Sequence, residues 1–228
     1  MTGLSARIAA VRDRIERAAA AAQRDPATVQ LLAVSKRHPA GTVREAYDLG
    51  IRAFGENYAQ ELVSKADEVG QLDDIAWHMI GHLQTNKARL LAPVVATIHT
   101  IDSTYVASEL GKRAAKLGRK IAALIEVNVA KDAAKSGCSP SELASIIEAV
   151  RACPALTLRG LMTMPPYTED PTESRRFFAG LRALRTLHGG PDLLPELSMG
   201  MSHDLEVAIA EGATIVRVGT AIFGERPA

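Results

Sequence analysis

Cysteine is scarce in this sequence, which contains only Cys138 and Cys153 among its 228 residues. Two cysteines are too few for the disulfide framework that stabilises many small secreted domains. Charged residues interrupt the apolar positions of the first 24 residues, so no signal-peptide core is expected there. The sequence therefore predicts reduced thiols and a cytoplasmic location.

Net charge and long apolar runs are scarce as well. The formal net charge is +1 with histidine neutral, which argues against a broad nucleic-acid-binding surface. No apolar run approaches the roughly 20 residues that a membrane-spanning helix needs. The remaining composition, 47% hydrophobic and 23% charged, is an ordinary globular balance. We therefore expect a sizeable core and neither a nucleic acid nor a membrane as a partner.

Eight short apolar runs alternate with longer helical patterns along the chain. An amphipathic helix is predicted over Met1–Arg24, before the first run. The eight predicted strands are Leu31–Lys36, Ala53–Asn57, Ala76–Gly81, Thr97–Ser103, Ile121–Val129, Leu158–Met164, Glu196–Ser202 and Ile215–Phe223. Strands that alternate with helices favour a parallel sheet, because parallel neighbours need crossover connections.

Eight such units in a chain of this length match a single (β/α)8 TIM barrel, an α/β fold, with one extra N-terminal helix. An open doubly wound sheet is the alternative. That fold more often carries a glycine-rich phosphate loop after its first strand, where this chain has Ser35-Lys36-Arg37-His38. We therefore predict one barrel domain over residues 1–228.

Lys36 ends the first predicted strand. Functional residues of barrels collect at the C-terminal ends of the strands. A lysine there can be partly desolvated, which lowers its pKa and frees the amine to attack a carbonyl. The alternative is an ordinary surface lysine. Lysine is the residue that an aldehyde cofactor requires for a Schiff base.

Ser202 and the pair Gly219-Thr220 predict a phosphate site. The loops after the seventh and eighth strands are a recurrent phosphate-binding place in barrels. A helix start after Ser202 would present free N–H groups to an anion, and a glycine within the eighth run would let the backbone approach it closely. The alternative for Ser202 is a simple helix N-cap.

Three further residues give less specific functional signals. Arg217 lies two residues before Gly219, hence on the same strand face, and its apolar neighbours predict burial. A buried arginine usually has a partner, such as a ring nitrogen or a phosphate; the alternative is a solvated arginine at the sheet end. Asn57 is either a helix N-cap or a ligand contact. Glu56 could orient a ligand or form one half of a buried ion pair, and the ion pair is the favoured interpretation.

Six stretches resemble motifs of the pyridoxal phosphate homeostasis protein family, in the expected order from the first strand onward. They are Leu32–Lys36, Ala53–Tyr58, His78–Lys87, Leu158–Met164, Leu197–Asp204 and Val216–Gly224. Six ordered motifs are far more specific than any one alone. The resemblance implies a barrel similar to the N-terminal domain of alanine racemases. His82 departs from the proline that many members carry; we expect it to alter the loop but not the site.

The resemblance also implies a cofactor, pyridoxal 5′-phosphate (PLP), held as a Schiff base on Lys36. It assigns no catalytic residue and no metal. The other cofactor contacts carry over to Asn57, Ser202, Arg217, Gly219 and Thr220, with Arg217 facing the pyridine nitrogen. Lys135 matches a family lysine suspected of affecting cofactor exchange, although a solvated lysine is its default interpretation.

Two function classes follow from these residues. Arg217 would leave the ring nitrogen unprotonated and a poor electron sink, which weakens transaminase and decarboxylase interpretations. A racemase of the related fold tolerates an arginine but needs a second acid/base from another domain, and no sequence for one follows the eighth run. We therefore expect a protein of vitamin B6 homeostasis that buffers PLP or delivers it to PLP-dependent apo-enzymes. We expect no established catalytic turnover. A PLP-dependent amino-acid racemase of weak or unknown specificity is the alternative, and a monomer is favoured over a dimer.

Overall fold

The computed structural model describes residues 3–132 and 134–225, whose eight parallel strands close into a barrel. The strands follow one another around the barrel in chain order, and the last pairs with the first. They are β1 (Gln30–Val34), β2 (Ala53–Glu56), β3 (Ala76–Met79), β4 (Thr97–Ile101), β5 (Ile121–Glu126), β6 (Leu156–Met162), β7 (Glu196–Ser198) and β8 (Ile215–Val218). The predicted (β/α)8 barrel is confirmed. The predicted domain limits include residues 1, 2, 133 and 226–228, which lie outside the described part.

Helices surround the barrel, and one precedes it as predicted. They are α1 (Leu4–Ala21), α2 (Ala40–Asp48), α3 (Ala59–Val69), α4 (Ala88–Leu91), α5 (Thr104–Lys116), α6 (Leu143–Arg151), α7 (Arg175–Leu187), α8 (Gly190–Leu193), α9 (Leu205–Ala210) and α10 (Thr220–Phe223). Short 3-10 helices lie at Pro26–Thr28, Thr85–Lys87 and Pro171–Ser174. Within the described residues, every helix is too short or too polar to cross a lipid bilayer. Cys138 and Cys153 are both free thiols.

The predicted strands extend too far at their C-terminal ends. The largest error is in the eighth, because β8 ends at Val218 and the apolar residues that follow form α10. The prediction that Gly219 and Thr220 lie inside a strand is therefore wrong. Gly219 instead precedes α10, and its carbonyl accepts hydrogen bonds from the N–H groups of Ile222 and Phe223, both at 2.9 Å. A short apolar run does not by itself distinguish a strand from a helix turn.

The barrel interior contains an apolar layer below its mouth. This layer consists of Leu32, Ala53, Leu124, Met162 and Ile215. Because side chains alternate along a strand, the residues two positions further on point into the same interior, closer to the mouth. Those residues include Glu126 and Arg217, so the sheet directs charged groups toward the end of the barrel where Lys36 lies.

Gly160 allows β6 to approach β7. The pairing of β5 with β6 shifts register here, since Ala123 pairs with Leu158 and Leu124 with Gly160. A Cβ atom on Gly160 would lie 1.8 Å from the carbonyl oxygen of Glu196. No side chain fits that space without moving the backbone, so the close approach of β6 to β7 depends on glycine.

Replacing Gly160 with alanine is therefore expected to lower the free energy of unfolding by about 3 kcal/mol or more, because the new methyl group overlaps backbone. Gly41→Ala is the matched control. Gly41 lies in α2 with nothing within 4 Å of a built Cβ, so its replacement should be neutral or stabilising by up to about 1 kcal/mol. Urea unfolding of both variants measures the difference. Equal effects would contradict the role of Gly160 in the approach of β6 to β7.

Candidate functional site

A cavity of about 350 Å³ opens at the C-terminal ends of the strands. All six predicted site residues line it: Lys36, Asn57, Ser202, Arg217, Gly219 and Thr220. They come from the ends of β1, β2, β7 and β8, which the closed barrel brings to one mouth. The cavity thus places an amine, a buried guanidinium and the loops after β7 and β8 around one space.

Lys36 lies in a turn that follows the end of β1 at Val34 and is partly buried. The next residue, Arg37, has a φ of 63°, in the left-handed region that non-glycine residues seldom adopt. Its backbone N–H donates to the carboxylate of Glu61 on α3. This bond holds the turn in a conformation that the sequence alone does not favour.

A buried ion-pair network supports the same turn from below. The Nζ of Lys65 lies 2.6 Å from the Ser35 carbonyl oxygen and 2.7 Å from one carboxylate oxygen each of Glu56 and Glu61. The Ser35 hydroxyl also donates to Glu56, at 2.6 Å. The predicted ion pair of Glu56 is confirmed, and its partner is a lysine that interrupts the buried face of α3. Burial raises the pKa of Glu56, although Lys65 and Ser35 stabilise its charged form.

The chain segments that follow β7 and β8 approach each other at Ser202 and Ala221. The N-cap residue of α9 is Asp204, so the N-cap interpretation of Ser202 is wrong. The Ser202 hydroxyl instead accepts a long hydrogen bond, 3.5 Å, from the N–H of Ala221. A Cβ on Gly219 would meet the Val34 carbonyl oxygen at 3.2 Å. Glycine therefore keeps this wall of the cavity close to β1.

Arg217 is 5% exposed and is held by two acceptors. Its guanidinium donates to the Ser198 hydroxyl at 2.7 Å and to the Thr163 carbonyl at 2.9 Å. The solvated interpretation of this arginine is therefore wrong. Burial lowers the pKa of Arg217 to about 10, with Glu126 acting in the opposite direction. The side chain consequently stays charged at neutral pH.

Two buried histidines continue the hydrogen bonds of Arg217 across the barrel. Nδ1 of His99 lies 2.9 Å from the Ser198 hydroxyl, and Nε2 of His99 lies 2.8 Å from Nδ1 of His78. Burial lowers the pKa of His78 to about 4 and that of His99 well below its usual value, the latter assisted by the charges of His78 and Arg217. Both rings are therefore neutral, and Arg217 is the cation of this row. The sequence interpretation placed His78 on a strand but did not find the row.

Asn57 lines the cavity and does not cap a helix, since the N-cap residue of α3 is Tyr58. Its backbone lies against the loop after β3, where a Cβ on Gly81 would be 2.1 Å from the Asn57 carbonyl oxygen. The N-cap interpretation of Asn57 is therefore wrong. The close approach keeps its amide at the mouth.

The sequence interpretation also missed part of the cavity wall. Tyr167 and His203 line the mouth with their rings in contact, 5.3 Å between centroids. Lys135, after β5, donates to the Pro165 carbonyl at 2.9 Å and so connects two loops at the mouth. The interpretation of Lys135 as a solvated lysine is therefore corrected.

The loop residue His82 lies 3.3 Å from a carboxylate oxygen of Asp102. Such contacts between loops leave no periodic signal in a sequence.

Glu126 is a buried acid at the end of β5, 4% exposed. Its Oε2 has no hydrogen-bonding partner among the described residues. Burial raises the pKa of Glu126 to about 7, while the charge of Arg217 acts to lower it. The folded protein therefore takes up a proton at Glu126 more readily than the unfolded chain does.

The stability of the protein should accordingly depend on the charge of Glu126. The contribution of the protonated acid is complete below its ordinary pKa of 4.5 and is lost as the pH rises through about 7. Glu126→Gln stays neutral, so the variant should gain up to about 3 kcal/mol over the parent between about pH 5 and about pH 8.5. Urea unfolding at both pH values measures this gain, with exposed Glu16→Gln as control. Parallel profiles of the parent and Glu126→Gln would refute it.

Comparison with known proteins places this geometry in a family. Residues 7–227 match the family model described as alanine racemase, N-terminal domain. The pyridoxal phosphate homeostasis protein of Pseudomonas aeruginosa is 47% identical over 99% of this chain and 97% of its own. That of Aquifex aeolicus is 45% identical over 96% and 97%.

Comparison with solved structures supports the same family. PipY of Synechococcus elongatus with PLP bound is 39% identical, with a TM-score of 0.84 over 97% of this chain and 100% of its own. An alanine racemase of Clostridium difficile shares only the fold, at 14% identity and a TM-score of 0.74 over 95% of this chain and 56% of its own. The chain belongs to the pyridoxal phosphate homeostasis protein family.

Proposed function

We propose that this chain binds PLP in the mouth cavity as a Schiff base on Lys36 and holds, buffers or delivers it as part of vitamin B6 homeostasis. The observation that carries the proposal is the one cavity lined by Lys36, the buried Arg217 and the loops that contain Ser202 and Gly219. The names of the relatives and the PLP-bound PipY structure support the same ligand.

The residues of the cavity fit this cofactor. PLP supplies an aldehyde that condenses with amines, and Lys36 offers the amine. The Ser202 hydroxyl and the backbone at Gly219 and Thr220 would hold the phosphate, where a glycine without Cβ leaves room for an anion. Arg217 would face the ring nitrogen as a donor, because a guanidinium has no acceptor. Asn57 would contact the ring from the β2 side.

The charge of Arg217 disfavours transaminase and decarboxylase chemistry in this cavity, whereas a racemase of the related fold tolerates an arginine there. Enzymes that use PLP as an electron sink commonly place an acid against the pyridinium nitrogen. Here the nitrogen would meet a charged donor, fixed by Ser198 and Thr163. His99 is neutral and buried behind Ser198, so it supplies no proton at neutral pH.

The loops suggest how the cofactor would enter and leave. Lys135 ties the loop after β5 to the loop after β6, which borders the cavity, so we propose that this contact affects exchange. PLP-dependent apo-enzymes are the proposed recipients. We also propose that the protein is a single domain in the cytoplasm. We propose a monomer, since a closed barrel leaves no sheet edge for a second copy to pair with.

Borohydride reduction tests the covalent attachment. Protein incubated with PLP, reduced and digested should yield a pyridoxyl adduct on the peptide that contains Lys36, because reduction fixes an imine at its nitrogen. Lys36→Ala should abolish the adduct and the visible absorbance of the complex. Lys131→Ala, at an exposed loop position, should leave both unchanged. An adduct mapped to any other lysine would disprove the assignment of Lys36.

Exchange of the α-hydrogen of amino acids separates a carrier from a racemase. The PLP-loaded protein in heavy water should produce no sustained deuterium incorporation into candidate amino acids, since the proposed role holds the cofactor without turnover. Lys36→Ala serves as the background control. Sustained Lys36-dependent exchange with inversion would replace the carrier proposal by the racemase alternative.

A further inference from the structure

We infer that Arg14, on the helix that precedes the barrel, positions the loop of Ser202 and thereby sets the affinity for the phosphate group. The inference rests on the proposed PLP site. Arg14 lies on α1, and a terminal nitrogen of its guanidinium donates to the Ser202 carbonyl at 2.9 Å. A helix outside the (β/α)8 repeat therefore contacts the backbone of a cavity residue 188 positions away in sequence.

The guanidinium is itself held in a fixed orientation. Its Nε lies 2.6 Å from one carboxylate oxygen of Glu206, and a terminal nitrogen lies 2.9 Å from the other. Two parallel hydrogen bonds of this kind define the plane of the guanidinium and add geometric specificity. Arg14 thus reaches Ser202 from a side chain that is already oriented by α9.

Two further arginine side chains, on α1 and shortly after it, contact the helices that flank the cavity. Nε of Arg7 donates to the Ile222 carbonyl in α10, and a terminal nitrogen of Arg24 donates to the Ile209 carbonyl in α9. The apolar face of α1 is buried below these contacts through Leu4, Ile8, Val11, Ile15, Ala18 and Ala19. The N-terminal helix therefore links the two elements that follow β7 and β8.

The hydroxyl of Ser202 lies in a loop whose conformation is set by several contacts. Gly200 has a φ of 91°, and the N–H of Met201 is held by the Asp204 carboxylate at 2.7 Å. The Ser202 hydroxyl itself makes only the long 3.5 Å contact to Ala221 among the described hydrogen bonds. Fixing the Ser202 carbonyl orients the residue that carries this hydroxyl. Arg14 is accordingly a positioning residue that acts through Ser202.

An effect of Arg14 on PLP affinity could also arise from long-range charge attraction instead of positioning. The contacts of Arg14 separate these two explanations. Glu206 neutralises Arg14 within the bidentate pair, so the pair adds little net field at the cavity. Removing Glu206 would raise the net positive charge and, through long-range attraction, strengthen binding of an anion. Under the positioning role the same change frees the guanidinium from its orientation and weakens binding. The two explanations predict opposite signs.

The test compares PLP with pyridoxal, which lacks the phosphate, by absorbance titration of each variant relative to the parent. Arg14→Ala is expected to raise the Kd for PLP about tenfold, the scale of one lost charge-assisted hydrogen bond. Glu206→Ala should raise it about fivefold, and both should change the Kd for pyridoxal less than about twofold. Arg17→Ala is the matched control on the same helix, because Arg17 forms an ion pair with exposed Asp13 and acts on Glu206 only through its charge. This variant should bind both ligands as the parent does.

The outcomes are distinct. Tighter PLP binding by Glu206→Ala, or weaker binding by Arg17→Ala, would assign the effect to net charge and overturn the inference. An equal loss for PLP and pyridoxal would show a general structural role and overturn it as well. If Arg14→Ala does not fold, Arg14→Lys, which keeps the charge but loses the bidentate geometry, and Glu206→Ala provide the same comparison. A parent that binds PLP while Arg14→Ala binds it equally well refutes only this inference. A parent that binds no PLP refutes the proposed function, and this inference with it.

Discussion

The pairing of β8 with β1 is the interaction on which the rest of the molecule depends. Leu31 pairs with Val216 and Ala33 with Val218, in a parallel register that closes the sheet. Closure places the turn of Lys36 beside Gly219, whose backbone lies against the end of β1. In an open sheet these strands would be edges, and the two walls of the cavity would be apart. The cavity is therefore a consequence of barrel closure rather than of any single motif.

A permanently charged side chain inside the barrel sets the second constraint. Burying a guanidinium is costly unless acceptors surround it, and Ser198 and Thr163 supply them. The adjacent His99 remains neutral, because burial lowers its pKa and the charges of His78 and Arg217 lower it further. Glu126, raised in pKa by the same burial, offers a proton-dependent countercharge. The described residues of the barrel interior are thus arranged around the cation of Arg217, and the proposed cofactor would meet that arrangement.

The positions of the strands could be predicted from local pattern, whereas their ends could not. Alternating apolar runs and helical periods identified eight strands, since each strand needs a buried face and each crossover an amphipathic helix. The eighth was extended through Gly219 and Thr220 because a short apolar run fits a helix turn equally well. Ser202 and Asn57 were both compatible with N-caps by residue type. In the structure the N-cap residues lie one or two positions later, at Tyr58 and Asp204.

By itself the sequence determined the alternation that requires a parallel sheet, the lysine at the end of the first strand, and the order of six motifs that identifies the family. Tertiary structure alone decided which side chains support that lysine and the loops opposite it. Lys65 lies beneath the turn of Lys36, and Arg14 holds Ser202 across 188 positions. Periodicity arises from the geometry of one helix or strand, so it carries no information about contacts between elements that only folding brings together.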